Sequence, residues 1–296
     1  MCRREPPGQP GGFFVDIMRI EDAFAACEET VRRHDPDRYL SALFAPAERR
    51  PLLLVLYAFN HEIARVGEVV REPMLGEIRL QWWREAVESA RDGHPRAHEV
   101  ARALAELFAR TGVTLDLFEV VIDARAQDAA GETFADMAAL EAYADATSGG
   151  VMRIAARVLG AEGELDEQAG ALGIAYALTG LLRALPFHAA RGKLMLPLDM
   201  VQAEGLSSED VFAGRGGEAL KRVMTKIAAR ARKHLGASRG FAKPGKALAA
   251  LLPATTVPAY LKLMTRPGFE PFVAPAELPL YRRQLAMLTA AMRGRV

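Results

Sequence analysis

Apolar residues recur along the chain at intervals of three and four, charged residues fill the gaps, and β-branched residues are sparse outside short runs. This is the periodicity of helices that bury one face. It predicts helices over residues 18–34, 37–44, 47–70, 76–92, 96–111, 114–129, 136–159, 166–190, 217–236, 246–264 and 276–293, and so an all-α protein. The breaks carry their own chemistry: His34-Asp35-Pro36, Ala45-Pro46, Glu72-Pro73, Asp92-Gly93, Gly131 and Arg266-Pro267-Gly268 stop, start or turn a helix. Inside 136–159, Thr147-Ser148-Gly149-Gly150 reads as a loosened turn where a neighbouring helix or a ligand passes close. Residues 202–217 and 237–246 are the loosest stretches and read as connections within one domain. With no long linker or repeat, residues 18–296 are expected to form a single helical domain behind a flexible tail over 1–17; Met1 and Met18 both stand as starts.

Composition bounds the class. Half of the 296 residues are hydrophobic and a quarter charged, with 38 Lys and Arg against 37 Asp and Glu for a net charge of +1. A chain of this size buries a substantial core without staples, and its charge balance argues against a nucleic-acid protein, which needs a concentrated basic footprint. Cys2 and Cys27 lie near the chain start, which suits a reducing compartment. No apolar run of signal-peptide length precedes Asp16, and the apolar segment 247–261 is short and carries Pro253 and Pro258, each of which removes a helix donor. A cytoplasmic or peripheral protein without a transmembrane segment is expected. The basic run Lys221, Arg222, Lys226, Arg230, Arg232 and Lys233 covers several faces of one helix; a solvated surface, an anionic lipid headgroup or an acidic partner would each suit it.

Familiar motifs fail on their details. Residues 240–247 (GFAKPGKA) lack the hydroxyl of a G-x-x-x-x-G-K-[ST] phosphate loop, because Ala247 holds its place. His94 and His98 are spaced for one helical face, yet Pro95 favours a helix start after His94 and no third ligand is near in sequence. Glu119/Asp123, Glu132/Asp136 and Glu141/Asp145 stand four apart, and only the first pair sits well inside a helix.

Three segments carry a resemblance. Residues 52–70 (LLLVLYAFNHEIARVGEVV) look like the first substrate helix of the squalene/phytoene synthase family, and 76–85 (GEIRLQWWRE) are similar to the following helix with its Leu-x-x-Trp-Arg pattern. Residues 173–198 (GIAYALTGLLRALPFHAARGKLMLPL) resemble the second substrate helix, with its Leu-Leu-Arg step, Gly-Lys for Gly-Arg, and closing Leu-Pro. The likeness runs from about Asp35 to Leu198, with a weaker echo to Phe272. It implies a single large domain of the isoprenoid (prenyl) synthase type around a central cavity, in a family that joins two prenyl diphosphates head to head.

In that family a D-x-x-x-D motif on each substrate helix holds Mg²⁺ against the departing diphosphate. The first motif falls here on Ala64 and Glu68 and the second on Ala184 and His188, so three of the four carboxylates are missing. Pro186 interrupts the second motif, and Ala177 and Gly180 stand where the family usually has Gln and Asn. Metal-assisted ionisation is therefore expected to fail, with no metal and no cofactor. The remaining stripes either repack into a closed core, Glu68 pairing with His188 or an arginine, or keep a cavity for a lipid or prenyl ligand. Tyr57, Asn60, Arg65, Trp83, Gly180, Arg183, Arg191 and Lys193 are the candidate cavity or ligand-binding residues, and Arg65, Arg183, Arg191 and Lys193 could meet a phosphate directly.

The Ala-Phe-Asn and Trp-Arg segments and Leu182-Arg183-Ala184-Leu185-Pro186-Phe187-His188 resemble the non-catalytic branch of the family, typified by the mitochondrial respiratory complex I assembly factor. That resemblance implies a pseudoenzyme at the inner face of the membrane that assists assembly of the membrane NADH dehydrogenase, with a complex I subunit or assembly intermediate as partner. Two alternatives stay open: a diverged prenyltransferase of isoprenoid biosynthesis using Glu68, Arg183 and His188, which would need Mg²⁺, and a lipid-binding module.

Overall fold

The computed structural model describes residues 19–70, 72–238, 241 and 243–296. The expected tail over 1–17, Met18, Cys2, and Gly240 and Ala242 of GFAKPGKA lie outside the described residues. Among the described residues every regular element is helical.

α1 (Ile20–His34) and α2 (Pro36–Ala42) part at Asp35, whose carboxylate accepts from the Arg38 N–H at 3.1 Å while Pro36 pre-sets the first turn. The helix expected over 47–70 is interrupted: α3 (Arg50–Ala64) stops at Arg65 and one further turn, α4 (Val66–Val69), follows. α5 (Pro73–Arg91) packs against α6 (Glu99–Arg110) and α7 (Leu115–Ala130), and α1 and α3 close the other side of α6. His98 caps α6, its Nδ1 accepting from the Val100 N–H at 3.2 Å, and its ring meets Trp82 and Trp83 edge-on. That cap is the structural use of a histidine which the His94 spacing had suggested as a ligand.

α8 (Met137–Ala144) passes through a π-turn at Asp145–Gly149 into α9 (Gly150–Val158), and α10 (Asp166–Arg183) crosses at that turn. A Cβ on Gly173 would stand 2.4 Å from the Gly149 Cα, so the crossing needs glycine. The loosened turn is thus explained by a neighbouring helix. α10 gives way at Ala184 to the short α11 (Leu185–Ala189), with Pro186 in its first turn.

The stretch expected to be loose, 202–217, begins at the end of a short helix, α12 (Leu198–Ala203), and contains another, α13 (Ser208–Phe212), closed by a capping box between Ser207 and Asp210. Five or six residues are too few for periodicity to reveal them. α14 (Gly217–Ala237) lies along α10. Its basic run is largely neutralised within the chain: Lys221 pairs with Glu218 and Glu270, Arg222 and Lys226 with Glu204, and Arg230 with Glu141. α15 (Leu248–Leu251) and α16 (Val257–Met264) flank a 3₁₀ turn at Leu252–Thr256 that contains Pro253. By length and composition Gly245–Met264 could cross a membrane, but 67% of its most apolar window is buried in the fold. α17 (Leu280–Arg293) follows, resting on Leu252 through Met287 and Ala290.

Two large apolar clusters result, one around α1, α3, α5, α6, α7 and α9, the other around α10, α14 and α16, beside the small one of Leu252, Met287 and Ala290 under α17. Tyr176 of α10 packs against both large clusters, and beside it lies a cavity that neither of them fills.

Candidate functional site

The break at Arg65 and the break at Ala184 face a common cavity of about 250 Å³. Ala64, Gly67 and Glu68 form one wall, and Ala177, Gly180, Leu181 and His188 form another. Nothing comes within 4 Å of a Cβ placed on Gly180, so that wall opens onto free space.

α4 and α7 make a third side. A Cβ on Gly67 would lie 2.8 Å from the Asp128 Cβ, so only glycine allows α4 to reach α7 there. Lys193, in the segment after α11, donates to the carbonyl oxygens of Gly67 at 2.6 Å and Asp128 at 2.7 Å. The Asp128 carboxylate accepts from the Tyr143 hydroxyl at 2.8 Å and from Arg125 at 3.0 Å, and Arg125 also donates to the Tyr143 oxygen at 2.7 Å. Burial raises the Tyr143 phenol above its ordinary range, so it stays a neutral donor to Asp128.

Charge in the cavity is predominantly positive: Arg38, Arg125, Arg191 and Lys193 line it, against Glu68 and Asp128. Arg38 is ion-paired with Asp35 at 2.8 Å and sits over the rings of Tyr57 and Tyr176. Arg191 lies 3.5 Å from the Phe187 ring centre. Glu68 is exposed at the mouth and makes no ion pair among the described residues. His188 is pushed down to about 4, chiefly by burial, with Lys193 and Arg191 adding to the effect and Asp128 opposing it. A neutral imidazole and an exposed carboxylate do not form the expected Glu68–His188 ion pair, and the cavity stays open. Two buried polar atoms on its lining residues, Ser148 Oγ and Arg125 Nε, have no hydrogen-bond partner among the described residues.

Of the residues expected at the site, Ala64, Glu68, Gly180, His188, Arg191 and Lys193 line the cavity. The others stand elsewhere. Tyr57 and Asn60 are buried in the body of α3, below the cavity lining. Trp83 is core, edge-on to Phe59 at 5.7 Å and to His98 at 5.1 Å. Arg65 is exposed beside Glu62 at 3.8 Å and borders a separate shallow pocket with Trp82. Arg183 turns away at the end of α10, 3.8 Å from the Tyr260 ring centre and 3.8 Å from Asp37. Ala184 sits in the kink itself as the residue before α11. Sequence reasoning missed Arg38, Arg125, Asp128 and Tyr143, whereas Ser148 lies in the turn expected to approach a neighbouring helix or a ligand. The one available signal was a charged pair, Arg125 and Asp128, three apart in a helix otherwise rich in apolar residues and alanine.

These residues do not suit Mg²⁺, which needs several oxygen ligands. Ala64 and Ala184 supply none, Glu68 stands alone at the mouth, and both oxygens of Asp128 already accept hydrogen bonds. Among the described residues no group of three or more His, Cys, Asp or Glu could hold an ion.

An all-α isoprenoid synthase fold, with its cavity between the two substrate-helix segments, is the class this architecture defines. The chain belongs to the squalene/phytoene synthase family, whose model matches residues 31–287. It is 31% identical over 263 residues to NADH dehydrogenase (ubiquinone) complex I, assembly factor 6, of Homo sapiens, a match covering 86% of this chain and 79% of that protein. The phytoene synthase of Thermus thermophilus is 28% identical over 280 residues, covering 93% and 95%. Among solved structures, a dehydrosqualene synthase superposes with a TM-score of 0.80 at 17% identity, covering 93% of this chain and 97% of that one. The squalene synthase HpnC of Alicyclobacillus acidocaldarius gives 0.66 at 18%, covering 93% and 95%. The structural likenesses establish the fold.

Proposed function

We propose that this chain is a non-catalytic member of the family that acts in assembly of respiratory complex I. It works peripherally at the inner face of the membrane, with a complex I subunit or assembly intermediate as partner. The observation that carries the reading is the cavity itself: where the family's motif positions fall, Ala64 and Ala184 offer no oxygen, and the lining is predominantly basic. A departing diphosphate needs its charge neutralised by bound cations, and the donors for them are missing. Similarity to complex I assembly factor 6 over 86% of the chain supports the same reading. The test is incubation with Mg²⁺ and prenyl diphosphates of several chain lengths. No release of diphosphate above the protein-free rate is expected; Mg²⁺-dependent release would transfer the reading to a diverged prenyltransferase.

The open cavity favours one addition, a ligand with an anionic head and an apolar tail, held by side chains without metal. Unpartnered Ser148 Oγ and Arg125 Nε and the free space beside Gly180 support it. Native mass spectra of the purified protein would show a co-purified lipid, and an empty protein would remove this reading.

A further inference from the structure

α17 presents a feature that the cavity does not explain. Met287 and Ala290 seat the helix on the fold, while Tyr281, Leu285, Leu288 and Met292 follow one another at i, i+4, i+7 and i+11 on the opposite side. All four are exposed, Tyr281 by 61% and Met292 by 72%. Single exposed apolar residues need no explanation, but a continuous stripe along three turns marks an interaction surface.

The charges beside the stripe indicate what covers it. Arg282 and Arg293 are eleven residues apart, and therefore on one flank, with Arg295 beyond them. None of the three makes an ion pair among the described residues, and no acidic residue occurs between 278 and 296. Arg283 instead anchors the helix to the fold, 2.9 Å from Asp37. Four of the six basic residues of the α14 run, Lys221, Arg222, Lys226 and Arg230, are paired internally, which weakens it as a lipid surface. A second run of exposed apolar residues, Val69, Met74, Leu75 and Ile78, is flanked in sequence by Glu68, Glu72 and Glu77 as well as by arginines, so it lacks the uncompensated basic flank of α17.

We propose that α17 docks in the headgroup layer of an anionic bilayer, with Tyr281, Leu285, Leu288 and Met292 among the acyl chains and Arg282, Arg293 and Arg295 on the phosphates. The inference rests on the peripheral placement proposed above but not on the assembly role.

The test is flotation of the full chain with vesicles of phosphatidylcholine containing about 30% phosphatidylglycerol, against phosphatidylcholine alone, at roughly 0.1 M salt. Binding to the anionic vesicles is expected, and its loss at high salt. Arg282→Gln, Arg293→Gln and Arg295→Gln together should weaken it on the order of a hundredfold, at about fivefold per arginine. Leu285→Ser, Leu288→Ser and Met292→Ser should abolish it while the chain stays folded, since those side chains are 57%, 47% and 72% exposed, and circular dichroism checks that the helix content is kept. Absent flotation, equal flotation on neutral vesicles, or flotation unchanged by both variants would overturn the proposal. A dimer dispersed by the serine variant, without flotation, would assign the stripe to a second copy instead. Membrane fractionation of cells separates the two claims: a membrane-bound protein whose binding ignores both variants keeps the peripheral placement and removes α17 from it.

Discussion

The ammonium of Lys193 donates to the carbonyl oxygen of Gly67 at 2.6 Å and to that of Asp128 at 2.7 Å, tying α4 and α7 to the segment after α11. The resemblance had suggested Lys193 as a phosphate contact; the structure gives it a positioning duty at the cavity wall. Hydrogen bonds from a charged donor are each worth about 1.5–3 kcal/mol. Lys193→Met should therefore cost about 2–4 kcal/mol of stability, read as a lower urea midpoint, because two partly buried carbonyls lose a charged donor. A midpoint equal to that of the unaltered protein would show that the contact contributes nothing.

His188 should make the protein acid-sensitive. Its folded value of about 4 lies below the ordinary 6.5, so the unfolded chain binds the proton more readily. The stability contributed by the neutral ring is complete above about 6.5 and is lost as the pH falls towards about 4, a swing on the order of 3 kcal/mol. His188→Asn should flatten that part of the profile of unfolding free energy against pH. An unchanged slope would place the sensitivity on other groups.

Two glycines of α10 should respond in opposite ways. Gly173→Ala puts a Cβ 2.4 Å from the Gly149 backbone and should cost about 3 kcal/mol or prevent folding. Gly180→Ala meets nothing within 4 Å and should be neutral or stabilising by up to about 1 kcal/mol through helix propensity. Gly180→Leu would fill the cavity at unchanged melting temperature, and so removes a co-purified lipid if one is bound there.

Restoring the family's carboxylates should not restore turnover. With Asp at 64, 68, 184 and 188, position 184 still lies in the kink before α11, outside the cavity lining, so the second pair does not present both carboxylates to the cavity. The expected result is no Mg²⁺-dependent diphosphate release from the four-fold variant. Release would show that the kink does not matter.

The features legible in the sequence were local ones. Asp35-Pro36 announces the α1–α2 break because cap and proline act within one turn, and the glycines at 149 and 150 announce the π-turn. The two cavity walls were legible through resemblance, which places Ala64, Glu68, Gly180 and His188 on substrate helices. Side-chain direction was not legible where distant partners decide it. Asp37, almost fully buried, draws Arg183 and Arg283 to itself, and Arg183 leaves the cavity for that contact. Arg125, Asp128 and Tyr143 converge only because α7 and α8 pack around the π-turn. Nothing in their spacing alone indicates a cavity.

The central claim is a role in complex I assembly without chemistry at the cavity. It is tested most directly by native gels stained for NADH dehydrogenase activity, on membranes from a strain lacking this gene and from the same strain complemented. The account predicts loss of the assembled complex, restored by the unaltered chain and equally by Glu68→Ala, since Glu68 is exposed and unpaired among the described residues. Complex I at normal abundance in the deletion strain would contradict it.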